Sequence, residues 1–400
     1  MEFETVKEAA ARRNVSSRTI QRWAKEGKLH GAFLRNGVWF IPKKTVLPSA
    51  VVLSPVLCGE EKLIPGEEEP VRFPLPLLRG MFSLGESQDY INHIADSDDR
   101  NIALAEYYYY IGEMNQVISI TEQYLDHEDA SLRYSAGILT IFASIFTGHI
   151  HLAKVILIRV FDELMEGLWQ NASLKLHALE ILVARIGGII LDLPVPQTPP
   201  LEAYLCYLPN GIRLYGCYLL AYEAYLQKKY DRAVAICDTA MAMCNHPYPV
   251  ANIYTLLIGS ASLMKLKRVK EAKEYFAQGW EIAQKDGFII PFSFHYNILG
   301  GLTEVLLRHD FPEVYKQIIA KNKELQKGLH RFAEKGDTDC VYMLTPIETT
   351  ICLLYTQDWQ AKEIALHLDF SERTVKNYIR YIFEKLGVSK KSELKAYMRK

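Results

Sequence analysis

The sequence predicts a mainly α protein in which two small helical domains, the N-terminal one carrying a β-hairpin, flank a long repeating helical array. Three observations predict it. Both ends of the chain show helices bounded by recognisable caps. The middle repeats small residues at helix crossings with a period of 36–40. Charge is segregated in the same way: residues 1–45 hold ten Lys+Arg against four acidic residues (+6), and residues 341–400 hold ten against seven (+3). With a whole-chain net charge of -1, residues 46–340 then carry -10. Basic ends on an acidic middle suit two phosphate-facing modules on a body that does not bind nucleic acid. At 400 residues, with 49% hydrophobic and 23% charged residues, the chain is globular in composition and long enough for two or three domains.

The first module spans residues 1–46. Thr5 is placed to cap a helix starting at Val6, and Ser17, closing the turn Asn14-Val15-Ser16-Ser17, caps a second helix over Arg18–Glu26 that Gly27 ends. Ile20, Trp23 and Ala24 face inward, which leaves Arg18, Thr19, Gln21 and Arg22 outward. Next, Ala32-Phe33-Leu34 and Val38-Trp39-Phe40-Ile41 flank Arg35-Asn36-Gly37, and Asn-Gly between apolar runs is a strong hairpin signal. Val15–Trp23, Gly27-Lys28-Leu29 and Trp39-Phe40-Ile41-Pro42 together resemble the MerR/excisionase-type winged helix. The resemblance implies that Arg18, Thr19 and Arg22 grip or read DNA, with Arg35 or Asn36 on the wing. Small winged domains also dock on proteins, so that use stays open.

Residues 47–79 read as a Pro-rich acidic linker. Six prolines (48, 55, 65, 70, 74, 76) and the run Glu67-Glu68-Glu69 predict a semi-rigid, poorly packed connector.

Residues 80–338 read as nearly all helix. Leu219–Ala240 contains two helices meeting at Lys228-Lys229-Tyr230-Asp231, with small residues Ala221, Ala233 and Ala240 where helices must cross. Equivalent positions fall at Ala272, Ala153 and Val117, each after a similar polar or glycine turn, with one degenerate unit expected between 153 and 233. The pair resembles a tetratricopeptide unit, so the region is expected to be a tetratricopeptide-like α-solenoid serving as a sensor or interaction domain. Pro194–Pro200 interrupts it as a loop. His149 and His151 lie at a predicted turn with too few neighbouring ligands for a metal. Tyr107–Tyr110 and Tyr204, Tyr207, Tyr215, Tyr218, Tyr222 and Tyr225 read first as packing residues, and second as the lining of an effector groove.

The last module spans residues 341–400. Thr345 caps a helix with Pro346 at its first position and Glu348 completing a capping box. A second helix runs Ala361–Leu368, and Ser371 caps a third, Glu372–Leu386, that Gly387 stops. Val375, Ile379, Ile382 and Leu386 face inward, so Arg373, Lys376, Asn377 and Arg380 fall outward. That is the pattern of a helix presenting donors to base edges in the major groove. An exposed amphipathic helix in any soluble protein also shows four polar residues. Leu344-Thr345-Pro346, Lys362-Glu363-Ile364-Ala365, Ser371, Thr374-Val375-Lys376 and Lys385-Leu386-Gly387-Val388, in this order and spacing, closely resemble the LuxR/FixJ-type DNA-binding domain. The resemblance implies base reading by Lys376, Asn377 and Arg380, phosphate contact by Thr374 and Lys362, and dimerisation through a fourth helix. Two departures stand out: Tyr378 where the family usually has His, and Gln357-Asp358-Trp359 in place of a glycine-containing turn.

The expected protein is therefore a cytoplasmic bacterial transcription regulator. Its partners are double-stranded DNA, a second copy of itself, and a small-molecule, peptide or protein effector at the repeats. No membrane, metal or cofactor is expected, and no enzyme activity: there is no GxxxxGK[ST], no receiver-like α/β alternation and no nucleophile–base motif. The seven cysteines (Cys58, Cys206, Cys217, Cys237, Cys244, Cys340, Cys352) form no CxxC and read as core residues of a reducing compartment. No secretory signal is expected, and Pro249–Met264 is too short and polar for a membrane span. The alternative is an interaction protein whose repeats are the functional surface and whose winged module docks on protein.

Overall fold

The computed structural model describes residues 3–12, 21, 24–25, 33–35, 38–42, 72–170, 174–191, 198–244, 247–333 and 344–397. The chain is mainly α and divides into two units, Met1–Val56 and Leu57–Lys400.

In the first unit, strand β1 (Phe3–Thr5) leads into helix α1 (Val6–Arg12), followed by β2 (Phe33–Arg35) and β3 (Val38–Pro42). The sheet order is β1-β3-β2, antiparallel throughout, with Glu4 opposite Ile41 and Leu34 opposite Trp39. Thr5 caps α1 in the predicted way: the Glu8 amide donates to Thr5 Oγ1 (3.4 Å), and the Thr5 amide donates to Glu8 Oε2 (2.7 Å). Strand β1 was not expected, because three residues carry too little period-2 pattern to signal a strand. Val6, Ala9, Ala24 and Ile41 are buried.

In the second unit residues 72–82 are irregular, turned over 75–80 where the Arg79 amide donates to the Leu75 carbonyl (3.0 Å) and the Gly80 amide to the Leu77 carbonyl (3.1 Å). Helices α2 (Ser87–His93), α3 (Ser97–Ile111), α4 (Met114–Thr121), α5 (Ala130–Thr147), α6 (Ile150–Gln170) and α7 (Leu174–Ile190) follow. Short 3-10 turns at Leu201–Ala203 and Leu205–Tyr207 lead to α8 (Asn210–Leu226), α9 (Tyr230–Met243), α10 (Pro249–Lys265) and α11 (Val269–Gln284). Then come α12 (Ile290–His295), α13 (Leu302–Leu307) and α14 (Pro312–Phe332). Consecutive helices pack on one another from α2 to α11, and the array folds back, since α14 packs on α5 and α6, and α12 on α3.

The positions aligned in the sequence are equivalent in space. Val117, Ala153, Ala233 and Ala272 are each the fourth residue of their helix, α4, α6, α9 and α11, and each is fully buried. The turns before them share one hydrogen bond, from the residue before the helix back to the carbonyl five positions earlier. The pairs are Glu113 to Tyr108, His149 to Ser144, Lys229 to Ala224 and Arg268 to Leu263, at 2.8–3.0 Å. The residue before each donor has positive φ: Gly112 and Gly148 in two turns, Lys228 and Lys267 in the others. Lysine tolerates that conformation poorly, which is why glycine punctuation alone does not reveal the period. Between residues 153 and 233, where a degenerate unit was expected, lie α7 and two 3-10 turns. Residues 192–197 of the predicted proline loop lie outside the described residues.

One boundary needs correction. The linker was expected to run loosely to residue 79, but from residue 72 the chain is packed: Phe73, Leu75, Leu77, Leu78 and Phe82 are all buried. Proline signals the absence of helix, not the absence of packing. Among the described residues one helix, Ala130–Thr147, is long and apolar enough to cross a membrane, and 78% of that stretch is buried inside the protein, as in a core helix. His149 and His151 are exposed.

The chain ends in α15 (Pro346–Thr356), α16 (Ala361–Leu368), α17 (Glu372–Leu386) and α18 (Lys391–Tyr397). The second and third of these have the boundaries read from sequence.

Candidate nucleic-acid interface

Helix α17 exists because its ends are chemically marked. Ser371 Oγ accepts the Thr374 amide at 3.0 Å, and Gly387 closes the other end in the left-handed conformation at φ 62°. Val375 and Ile382 are buried, with Ile379 and Leu386 half-buried on the same stripe against α15 and α16. The turn before it is tight: Asp369 takes φ 57° and the Phe370 amide donates to the Ala365 carbonyl at 2.9 Å. Aspartate is among the few residues that adopt this conformation readily.

The opposite face of α17 carries Arg373, Lys376, Asn377 and Arg380, all exposed. Lys376 Nζ lies 2.7 Å from Glu372 Oε1, and Arg380 Nε 3.8 Å from Glu384 Oε1, both at i,i+4 spacing. The Arg380 guanidinium also sits over the Tyr381 ring, 5.1 Å from its centroid. Lys376 holds the Glu372 carboxyl below the usual range, with Lys362 adding to the effect, so α16 brings Lys362 toward the start of α17. Such exposed pairs contribute little to stability, because solvent screens them. A phosphate or a base edge therefore displaces them at little cost. Thr374 is half-buried and its hydroxyl lies 2.7 Å from Ser371 Oγ, within the cap. The pairing partners Glu372 and Glu384 were missed as parts of the site, although i,i+4 spacing made them readable.

Of the N-terminal residues singled out, Arg18, Thr19, Arg22 and Asn36 lie outside the described residues. Arg35 lies in β2, paired with Val38.

The rest of the C-terminal module is held rigid beneath α17. The Thr345–Glu348 capping box forms, and Lys385 Nζ from the end of α17 reaches both Glu348 carboxylate oxygens at 2.6 and 2.7 Å. Burial pushes Glu348 upward, but Lys385 and the Thr345 donors outweigh it and hold the carboxyl below its usual range. The unusual turn works without glycine, since Asp358 itself takes φ 66° and pairs with Lys391 and Lys395 of α18. Trp359 beside it is buried. Tyr378 is half-buried against Phe370, ring centroids 6.1 Å apart.

This module is also docked on the helical array. His367 Nε2 lies 2.8 Å from the Gly300 carbonyl oxygen, and the Thr350 hydroxyl donates to Glu304 Oε1 at 2.9 Å, where Tyr296 donates as well. Burial pushes His367 down and Glu304 up, so both are neutral-leaning groups suited to a dry contact. Gly301 has φ 83°, and a Cβ there would meet Leu368 and Thr350 at 2.9 Å, so only glycine permits this approach. At the rim, Lys267 Nζ pairs with Glu363 at 3.1 Å. The dock uses α15 and α16 and leaves the polar face of α17 in solvent.

Comparison with known proteins agrees with this geometry. Residues 342–398 match the family model described as "Bacterial regulatory proteins, luxR family", and residues 5–47 match one described as "Helix-turn-helix domain". No curated protein and no solved structure matches the chain. The two domains support a DNA-binding transcription regulator.

Proposed function

From a LuxR-family domain at one end and a helix-turn-helix at the other, we propose a cytoplasmic bacterial regulator, without enzyme activity, that reads promoter DNA through α17. The observation that carries this reading is the exposed face Arg373, Lys376, Asn377 and Arg380 on a helix whose other side is clamped to α15 and α16. Lys376 and Arg380 are suited to guanine and Asn377 to adenine. Lys362 at the start of α16 is suited to phosphate, while Thr374 contributes through the cap.

The finer parts of the proposal rest on other features. A homodimer on two half-sites follows from helix-turn-helix geometry. The N-terminal domain, read as MerR/excisionase-like with β2 and β3 as its wing, adds a second DNA contact. Its +6 charge supports that role. Tethering two weak binders raises avidity by about a hundredfold or more when both engage. The array is read as a divergent tetratricopeptide-like sensor. Four equivalent turns and four equivalent buried crossing residues support the reading, and an effector there would reach α15 and α16 through the dock.

The test is to sequence genomic fragments retained by the full-length protein, beside the Lys376→Ala/Arg380→Ala variant. A shared palindromic motif lost in the variant is the expected result. Intact footprints in the variant would overturn the assignment of α17. Arg22→Ala is expected to weaken affinity and shrink the protected region. An unchanged footprint would assign the N-terminal domain to a protein partner.

A further inference from the structure

The sensor reading above leaves open what kind of effector the array takes, and the irregular segment packed at its start answers in chemical terms. Residues 72–80, Arg-Phe-Pro-Leu-Pro-Leu-Leu-Arg-Gly, form a strap whose backbone is read by side chains of the helices around it. The amides of Leu77 and Leu78 donate to the two carboxyl oxygens of Glu106 on α3, at 2.7 and 2.9 Å. The Leu75 amide donates to Ser135 Oγ on α5 at 3.1 Å, and Tyr90 on α2 donates to the Pro76 carbonyl at 3.3 Å. Side chains of three helices thus satisfy main-chain groups of the strap, which is itself turned: the Arg79 amide donates to the Leu75 carbonyl at 3.0 Å and the Gly80 amide to the Leu77 carbonyl at 3.1 Å.

The side chains of the strap fit the same description. Leu75 and Leu78 border a cavity of about 40 Å³ whose other walls come from α3, α5, α7, α8, α10 and α12, among them Tyr109, Phe142, Tyr215 and Tyr254. That space is well below the roughly 150 Å³ that holds a benzene-sized molecule, so a larger ligand enters only where the two leucines now sit. At the strap's ends Arg72 pairs with Asp96 (2.7 Å) and Arg79 with Asp99 (2.9 Å).

The fit is also imperfect in a telling way. Glu106 is a fully buried carboxyl. Leu75 is held at φ 54°, a left-handed conformation that costs a leucine about 1–2 kcal/mol. Arg79 Nε is buried without a hydrogen-bond partner. Backbone strain at Leu75 and the unmatched Arg79 Nε, both on one segment, mark it as a candidate for release rather than as ordinary core.

We propose that this groove is a peptide-binding site which residues 72–80 occupy in cis, and that its ligand in trans is a short turn-forming peptide with two apolar side chains three positions apart between basic ends. Displacement frees about nine residues, roughly 30 Å of extended chain, added to the connector that leads to the N-terminal domain. A longer tether changes the effective concentration of that domain on DNA.

The probe is a fluorescein-labelled peptide copying residues 72–80, titrated into full-length protein and into the Leu78→Ala variant. Because the strap masks the site, wild-type affinity is reduced by the fraction of molecules that are open, and the variant is expected to bind about tenfold or more tightly than wild type. A folded variant that shows no saturable binding, or binds no better than wild type, overturns the proposal. Should the variant fail to fold, hydrogen exchange on wild type decides: the Leu77 and Leu78 amides are expected to exchange about tenfold or more faster than buried amides of α5 and α10. Equal rates make the strap core and overturn the site. Binding that leaves promoter affinity unchanged supports the site and overturns the sensor reading. A promoter response to some other effector, with the strap never opening, does the reverse.

Discussion

Helix α17 and the strap are both held by a few hydrogen bonds, yet they place their ionisable groups in opposite ways. On α17 the cations stand in water, paired with carboxylates one turn away: Lys376 is 65% exposed and Arg380 61%. In the strap region a carboxyl, Glu106, is sealed from water and bonded to two backbone amides. The difference teaches what each place can do. Exposed pairs exchange partners freely, which suits the role proposed for this surface, accepting phosphates and base edges. A buried carboxyl has no such freedom, because every donor it loses must be replaced by another. Its site can be selective only for something that supplies the same amides.

The sharpest break in this comparison is expected at α17. Lys376→Ala with Arg380→Ala should lower specific promoter affinity by about a hundredfold or more, since each good base contact is worth about 1–3 kcal/mol. The thermal midpoint should stay within about a degree of wild type, because surface changes usually alter stability by less than about 0.5 kcal/mol. Gel-shift titration and a melting curve measure the two effects. A large fall in the midpoint would mean that the outer face of α17 is structural after all.

Leu77→Ala in the strap should invert that pattern. Removing a fully buried leucine costs about 2–5 kcal/mol, so the chemical-denaturation midpoint should drop clearly. A DNA affinity measured well below the melting range should change much less than in the α17 variant.

Glu106 adds a pH signature. Burial raises its carboxyl from 4.5 to about 8, against the pull of the Leu77 and Leu78 amides. The folded chain then keeps a proton that the unfolded chain releases above its ordinary value. The stabilisation is fully present at acid pH and is lost as pH rises toward 8. Glu106→Gln should flatten the slope of stability between pH 5 and 8, read from denaturation midpoints at several pH values. An unchanged slope would show that the carboxyl is already ionised.

The smallest effect is expected at the cap of α15. Thr345→Ala should cost about 1 kcal/mol, with promoter affinity shifted only as far as α15 loosens beneath α17. Differential scanning calorimetry and a gel shift on the same preparation separate the two.

These contrasts also explain how far the sequence could be read. Every terminus of α16 and α17 was legible because its cause is local: Ser371 lies three residues from the amide it caps, and Gly387 ends the helix it follows. The outward face of α17 followed from 3.6-residue periodicity. The buried fourth positions of four helices, Val117, Ala153, Ala233 and Ala272, were legible because packed helices favour small or medium residues where they meet. The misread boundary at residues 72–79 has a different origin. A proline-rich stretch reads as linker by composition, and only Glu106 and Ser135, some thirty and sixty positions away in the chain, make it a packed segment.

The dock between the array and the C-terminal module escaped for the same reason. Nothing near Gly301 in the chain announces that Leu368 and Thr350 will press against it. By itself the sequence determined the helices of the C-terminal module, their caps and the faces they turn outward, since these depend on contacts within a few residues. Tertiary structure alone decided which segment packs into the groove, which buried carboxyl holds it, and which side of the C-terminal module is tied down. Those outcomes rest on pairs distant in sequence, whose complementarity exists only once the chain has closed on itself.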